Sequence, residues 1–290
     1  MTPTVVSEPR ALFDLCEQAR RRGERVGFVP TMGALHAGHL SLVSRVLDRS
    51  NFTVVSIFVN PTQFGPNEDL DRYPRTWDAD LEKLTAAGVN AVFAPSKAEM
   101  YPDGFATEIS VYGVSEGMCG DARPGHFDGV ALVVTKLLSA VGACVAAFGR
   151  KDYQQLQVIK RMTADLNLPV DIIEGPTFRE PDGLAMSSRN AYLSKEKRAA
   201  ARAIPEGLCA AHAKFSQGER AVSRLISAVT EKIAAAADSV DYITAADPVT
   251  LRAFPPDATP AKLLIAVAAR FGETRLIDNI VLGEDAAPIG

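Results

Sequence analysis

The sequence predicts an α/β protein, a doubly wound parallel sheet followed by a smaller C-terminal α+β domain. Three observations carry that expectation. Val26–Val29 is an apolar run, and Thr53–Val59 is β-branched and almost unbroken in apolar character, the pattern of a strand buried on both faces of a parallel sheet. Such runs alternate with stretches of helical periodicity as far as Glu174. After about Thr177 the order changes, and two Ala-rich helical stretches precede consecutive strand-like runs, the grammar of an antiparallel sheet.

Taken in order, residues 9–22 read as a helix with Leu12, Leu15, Cys16 and Ala19 on one face and Gly23 as its stop. The apolar run Val26–Val29 stops at Pro30, and a helix begins near His39 with Leu40, Val43 and Leu47 at helical spacing. The strand Thr53–Val59 opens into a proline-punctuated polar loop of active-site length. Trp77–Ala87 reads as a helix capped by Gly88, and Asn90–Ala94 as a short strand. Residues 95–123 read as irregular. Phe127–Val141 is a strongly apolar helix, Cys144–Phe148 a strand, Lys151–Asn167 a helix and Val170–Glu174 a strand. Beyond the change of grammar, residues 195–216 and 219–237 read as helices, and 240–245, 262–269 and 274–282 as strands.

The bulk properties narrow the function classes. With 290 residues, 47% hydrophobic and 23% charged, the chain has the composition of a globular protein with ample core. The net charge of −4 has no basic block, which gives no support to nucleic-acid binding; the run Arg20–Arg22 sits at a helix end, where cations suit the dipole. Cys16, Cys119, Cys144 and Cys209 lie far apart, as free thiols in a reducing compartment do, and form no C-x-x-C pair. Charges at Glu8 and Arg10 argue against a signal peptide, and no apolar run reaches membrane-spanning length. The expectation is a cytoplasmic protein with no membrane partner. The strings G-x-x-x-x-G-K-[ST], G-x-G-x-x-G after a strand and H-E-x-x-H are all missing.

The stretch Val26–Leu47 is the most informative. A strand, a loop with Gly33 and Gly38 and a helix start are the parts of an anion site, because backbone N–H groups and the helix N-terminus meet there. Two of the chain's four histidines, His36 and His39, lie in that loop one helical turn apart, where both rings can face one anion. An imidazole so placed donates hydrogen bonds as phosphate charge builds. A lone histidine there would read as a surface residue; the pair points to function.

Four further segments carry polar groups at strand or domain edges. Asn60–Phe64 (N-P-T-Q-F) follows the second strand, where the Gln63 amide suits a hydroxy acid, although a loop glutamine bonding its own backbone fits as well. In Phe148–Leu156 (F-G-R-K-D-Y-Q-Q-L), Lys151 can neutralise phosphate and Asp152 fits the first helical turn, and a solvated Lys–Asp pair is equally compatible. Ala185–Asn190 (A-M-S-S-R-N) offers two hydroxyls and a guanidinium as a phosphate clamp, preceded by a turn at Asp182 and Gly183; alone it would read as a helix N-cap with a surface arginine. Arg123–Phe127 (R-P-G-H-F) places Pro124 at a helix start and gives His126 a structural or gating role. Asp78 and Asp80 are candidate Mg²⁺ holders, though acids in a first helical turn also serve as dipole partners.

H-A-G-H after a strand resembles the H-x-G-H signature of the nucleotidyltransferase superfamily. The longer string P-T-M-G-A-L-H-A-G-H-L, Pro30–Leu40, resembles the pantothenate synthetase (pantoate–β-alanine ligase) family, and the other segments agree with it in order. The resemblance implies a Rossmann-like ATP- and pantoate-binding domain over residues 1–177 and a smaller α+β domain over 178–290 that acts as a lid over the active site. It implies ATP binding by Met32, Gly33, Ala34, Leu35, His36, Ala37, Gly38 and His39. Gly149, Arg150, Lys151 and Asp152 join them, as do Phe178 and the Met186, Ser187, Ser188 and Arg189 loop. His36, His39 and Lys151 are the implied catalytic residues, and Gln63 and Gln155 the implied pantoate contacts. Mg²⁺ is the implied companion of ATP, with ligands unknown, and a homodimer the implied assembly. At Arg150 the family's usual string has a glutamate, so this chain reverses a charge beside the expected ATP pocket.

The function expected is ATP-dependent condensation of pantoate with β-alanine through a pantoyl adenylate. Two alternatives stay open at the level of sequence. A related nucleotidyltransferase would release a stable nucleotide-linked product and need no amine, and the paired glutamines argue against it. A non-catalytic nucleotide-binding module would bind ATP without turnover, and the retained histidines and serine–arginine clamp argue against that.

Overall fold

A strand that is apolar on both faces needs a helical layer on each side, and this requirement organises the N-terminal part of the chain. The structure, a computed structural model, describes residues 2–66 and 68–289. In chain order it forms β1 (Thr4–Val6), α1 (Pro9–Arg21), β2 (Val26–Thr31), α2 (Ala37–Leu47), β3 (Phe52–Ile57), α3 (Trp77–Ala86) and β4 (Ala91–Phe93). Two short helices follow, α4 (Lys97–Met100) and α5 (Met118–Ala122), then α6 (His126–Val141), β5 (Cys144–Gly149), α7 (Tyr153–Asp165) and β6 (Val170–Gly175). The rest comprises α8 (Lys195–Ala200), α9 (Ala203–Ser216), α10 (Val222–Ala234), β7 (Ser239–Ala246), β8 (Leu263–Phe271) and β9 (Thr274–Leu282).

Two compact units result. The first takes the residues up to Ser115 with Arg123–Arg150 and Gln155–Pro176; the second takes Glu116–Ala122, Lys151–Gln154 and the residues from Thr177 on. In the first, six strands pair in parallel in the order β1-β4-β3-β2-β5-β6. The direction of winding reverses between β2 and β5, and a doubly wound sheet opens its ligand crevice at the carboxyl ends of such strands. Neighbouring residues serve opposite faces: Phe28 and Val54 join the core with Leu12, Cys16 and Leu138, while Val29 and Val55 join Val43, Val46 and Leu84. In the second unit β7, β8 and β9 form an antiparallel sheet, and its core joins Leu208 and Leu225 of the helices to Ile265 and Val267. Both the parallel sheet and the separate antiparallel one agree with the fold class expected.

Local departures from the expectation have physical causes. Strand β2 continues through Pro30 to Thr31; its pairing with β5 covers only Gly27 and Phe28, so the proline sits where the ladder continues on the β3 side. The helix expected from Lys151 begins at Tyr153, after a 3-10 turn at Arg150–Asp152. The stretch 195–216 is two helices because Pro205 has no N–H to give the Ala201 carbonyl, and the chain restarts at Ala203. The span 95–123 holds α4 and α5, and Thr4–Val6 adds an edge strand beside β4 that the sequence did not announce. Arg20 donates to the Val141 and Ala143 carbonyls at 2.9 and 2.8 Å, so it caps the end of α6 in addition to ending its own helix. Burial pushes the Cys16 and Cys144 thiols up to about 11 and about 12, which leaves both inert core residues. Among the described residues no helix is long and apolar enough to cross a membrane.

Gly129, inside α6, lies against the 3-10 turn Pro61–Gln63. A methyl group there would strike the Thr62 carbonyl and stand 2.8 Å from the Gln63 Cα, with backbone on both sides and nothing free to move. Gly→Ala in a helix normally gains about 1 kcal/mol. Gly129→Ala is expected to reverse that sign and cost about 1–3 kcal/mol by overpacking, read as a lower urea midpoint at unchanged m.

Candidate active site

Loops at the carboxyl ends of β2, β3 and β5 hold most of the polar residues singled out in the first unit. The β2 loop turns at Gly33 and Ala34, which have φ of 81° and 50°; a Cβ at Gly33 would meet Ile57 at 3.0 Å and Asp80 at 3.2 Å. The Thr31 hydroxyl donates to the Ser56 carbonyl at 2.7 Å and accepts the Gly33 N–H at 3.1 Å, so the loop starts against β3. His36 is the N-cap of α2, which starts at Ala37, and Gly38 lies within its first turn, where the Ser41 hydroxyl bonds its carbonyl at 2.8 Å.

The His36 and His39 rings stand 4.0 Å apart, tilted by 30°. The His36 backbone N–H donates to His39 Nδ1 at 3.3 Å. An N–H only donates, so Nδ1 is an acceptor and the neutral His39 ring carries its proton on Nε2. His39 therefore presents an N–H donor, the form that suits a phosphate oxygen.

Asp80, a candidate Mg²⁺ holder on sequence grounds, is otherwise engaged. It is buried, and its carboxylate accepts from the Leu35 N–H at 2.7 Å, the Ala34 N–H at 2.8 Å and the Thr76 hydroxyl at 3.1 Å. Asp78 is exposed on the first turn of α3. Among the described residues no three His, Cys, Asp or Glu side chains group as a metal cage.

The β3 loop delivers Gln63. Asn60, which sequence reasoning quoted but gave no role, is the hub. Its Oδ1 accepts from Tyr101 at 2.8 Å and the Thr62 hydroxyl at 3.1 Å, while Nδ2 donates to the Gly129 carbonyl and to Gln63 Oε1, both at 3.2 Å. Burial holds Tyr101 above its ordinary value despite the Thr62 hydroxyl 3.4 Å away, which keeps the phenol a donor. Gln63 Nε2 then lies 3.4 Å from Met32 Sδ, bringing the β3 turn to the histidine loop. Its backbone is held as well: His126 Nδ1 at 2.9 Å and Arg123 at 3.2 Å both meet the Gln63 carbonyl. His126 thus fixes a loop, in keeping with the structural role expected of it.

Gly149 ends β5, and Arg150 follows within 3.7 Å of Glu174, which also pairs with Lys160. Gln155 is half-buried on the first turns of α7. Its neighbour Gln154 is committed elsewhere, accepting from the Cys119 N–H at 3.0 Å and donating to the Glu116 and Gly117 carbonyls at 3.0 and 3.2 Å.

The remaining candidates belong to the second unit. Lys151 lies 3.7 Å from Asp152, and its carbonyl accepts from Asn279 Nδ2 at 2.8 Å. Asp278, the preceding residue of β9, accepts from the Asn279 N–H at 2.7 Å and takes Arg179 in a two-pronged pair at 2.7 and 3.0 Å. Arg179 begins a tight hairpin in which Met186 N–H meets the Phe178 carbonyl at 2.9 Å, so the backbones of Met186 and the exposed Phe178 are paired. Ser187 caps a 3-10 turn, Ser188–Tyr192, by accepting the Arg189 N–H at 3.3 Å; its own hydroxyl proton remains a donor. Arg198 clasps Asp182 at 2.7 Å and Glu180 at 2.6 Å, and its bond to Asp182, outweighing desolvation, holds that carboxyl below its usual range. Asp278 and Asn279 carried no motif recognisable from sequence, and only the fold sets them beside Lys151 and Arg179.

The family model described as pantoate-beta-alanine ligase matches residues 4–281. The chain belongs to the pantoate-beta-alanine ligase family. Among relatives in that family, the pantothenate synthetase of Pseudomonas fluorescens (strain Pf0-1) is 50% identical over 282 residues, 97% of this chain and 98% of the relative. That of Myxococcus xanthus (strain DK1622) is 51% identical over 286 residues, 98% of this chain and 97% of the relative. The crystal structure of pantothenate synthetase from Thermus thermophilus superposes with a TM-score of 0.89 at 44% identity, covering 99% of this chain and 100% of that one. Pantoate-beta-alanine ligase from Francisella tularensis, complexed with beta-gamma ATP and beta-alanine, gives a TM-score of 0.80 at 31% identity over 98% and 99% of the two chains.

The family's R-P-G-H segment makes one more tie in this chain. Arg123 holds Glu68 through two bonds of 2.6 Å. Partial burial alone would push the Glu68 carboxyl up; the bonds and charge of Arg123, with the Gly65 N–H, outweigh it and hold the group below its ordinary value. A depressed folded value means the tie stabilises fully above the unfolded range, about pH 4.3, and is lost as pH falls through the lowered folded value. The Tm gap between wild type and Glu68→Gln is therefore expected to be widest near neutrality and to close on acidification in a pH series of thermal melts.

Proposed function

We propose that this chain joins pantoate to β-alanine at the expense of ATP, forming pantothenate, AMP and pyrophosphate. Family membership over residues 4–281 supports the reaction, and the His36–His39 loop is the observation that supports the chemistry. In the first half-reaction a pantoate carboxylate oxygen attacks the α-phosphorus of ATP and pyrophosphate leaves, giving pantoyl adenylate. In the second the β-alanine amine attacks the acyl carbon, loses a proton and expels AMP. A free carboxylate is a poor acyl donor; the adenylate supplies the leaving group.

No covalent enzyme intermediate is required, so positioning and charge stabilisation carry the catalysis. His39 is assigned to donate its Nε2–H to phosphate oxygens, with His36 beside it and Lys151 supplying positive charge. Met32–His39, Gly149–Asp152, Phe178 and Met186 are assigned to ATP, and Ser187, Ser188 and Arg189 to the departing pyrophosphate. Gln63 and Gln155 are assigned to orient pantoate; with Oε1 of Gln63 engaged by Asn60, its Nε2 is the end suited to substrate oxygens. The Mg²⁺ that accompanies ATP is proposed to ride on the phosphate oxygens, since Asp80 is spent on the loop. Residues 178–290 are assigned the part of a lid, and the chain is assigned to the cytoplasm as a homodimer, the dimer on family resemblance.

Purified protein is expected to catalyse ATP–pyrophosphate exchange that requires pantoate and needs no β-alanine. His39→Ala should retain its fold by circular dichroism and lose about 10²–10³-fold in exchange rate, the usual effect of deleting one transition-state donor. Pantoate-independent exchange, or near-normal exchange by the variant, would overturn the assignment.

A further inference from the structure

We infer that Asp80 and Lys83, one turn apart on α3, are positioning residues that fix the tautomer and aim of His39; the inference rests on the role given to His39 above. Three consecutive peptide groups are gripped by this one helical turn. Asp80 takes the N–H of Ala34 at 2.8 Å and that of Leu35 at 2.7 Å, and Lys83 donates to the Leu35 carbonyl at 2.7 Å. That carbonyl and the His36 N–H are the two ends of one planar peptide group, so fixing the carbonyl fixes the N–H. The same N–H donates to His39 Nδ1 at 3.3 Å. An ammonium on the carbonyl also polarises the peptide and makes its N–H the stronger donor. The result is a relay: helix α3 orients the loop, the loop holds Nδ1 as an acceptor, and the proton is kept on Nε2. Both α3 residues act on the backbone of the loop.

The loop cannot hold this shape unaided. Gly33 and Ala34 both sit at positive φ, which an alanine rarely adopts, and the carboxylate that accepts both following amides is buried on α3, more than forty residues along the chain. Lys83 lies 4.0 Å from Asp80 and completes the clamp with its charge.

Asp80→Asn keeps the shape of the side chain but turns an NH₂ toward one of the two loop N–H groups. It is expected to lower the rate of pantoate-dependent ATP–pyrophosphate exchange by about 10²-fold, the effect of a misplacement on the order of 1 Å, with KM for pantoate little changed. The decisive readout is the ring ¹⁵N spectrum, which is tractable because the chain has four histidines. The His39 signals, assigned by their loss in His39→Ala, should report a single Nε2–H tautomer in wild type and a mixture in Asp80→Asn. If Asp80→Asn does not fold, the half-exposed Lys83→Met decides, with a smaller drop in rate and the same tautomer shift expected. A folded variant with the wild-type tautomer and rate overturns the inference. Normal exchange in His39→Ala would instead sink the functional assignment and leave the ¹⁵N result standing on its own.

Discussion

The N-terminal unit depends on a carboxylate removed from water and bonded to a loop. Asp80 is 1% exposed, and burying an ionised group costs several kcal/mol unless its oxygens are satisfied. Two amides and a hydroxyl satisfy them. The magnitudes explain why a charge is used. Left-handed backbone at Ala34 costs about 1–2 kcal/mol, and each hydrogen bond to a charged acceptor contributes about 1.5–3 kcal/mol. Two such bonds outweigh the strain; two apolar contacts of similar size would leave both amides unsatisfied.

The same solution recurs at other departures from regular structure. Asn60 closes the turn after β3 by using both ends of its amide. Gln154 spans the segment around Met118, another residue at positive φ, by meeting Glu116, Gly117 and Cys119. Asp278 and Asn279 hold Arg179 and the Lys151 carbonyl from adjacent positions of β9. Loops have no ladder of their own, so side chains rooted in helices and strands complete their hydrogen bonding. The chemistry-bearing residues are then presented by loops whose positions are set by the scaffold.

This division explains what could be read from the sequence. The parallel sheet was legible because burial on both faces leaves continuous apolar runs such as Thr53–Val59, and the antiparallel sheet because its runs follow one another. The histidine loop was legible because two rare residues fall within four positions. Its support was not: Asp80 is indistinguishable in sequence from a helix-dipole partner, and its bonds to Ala34 and Leu35 cross more than forty residues. Asn60 was quoted without a role for the same reason, since its partners Tyr101 and Gly129 arrive from distant segments. The break before Ala203 was available, because Pro205 forbids the bond to Ala201, but a run of alanines outweighed it in reading helical propensity. The three-residue strand at Thr4–Val6 is too short to show periodicity.

Arg150 shows how a departure from a family string becomes intelligible only in context. At the end of β5 it lies beside the end of β6, 3.7 Å from Glu174, and Lys160 of α7 reaches the same carboxylate. Both cations thus reach Glu174 at the edge of the sheet next to Gly149, with Arg150 and Glu174 partly shielded from water. A glutamate at this position would bring a second acid to Glu174 where Arg150 now supplies a cation. Arg150 is therefore engaged by Glu174 and not an isolated guanidinium, while the Lys151 carbonyl is tied to Asn279.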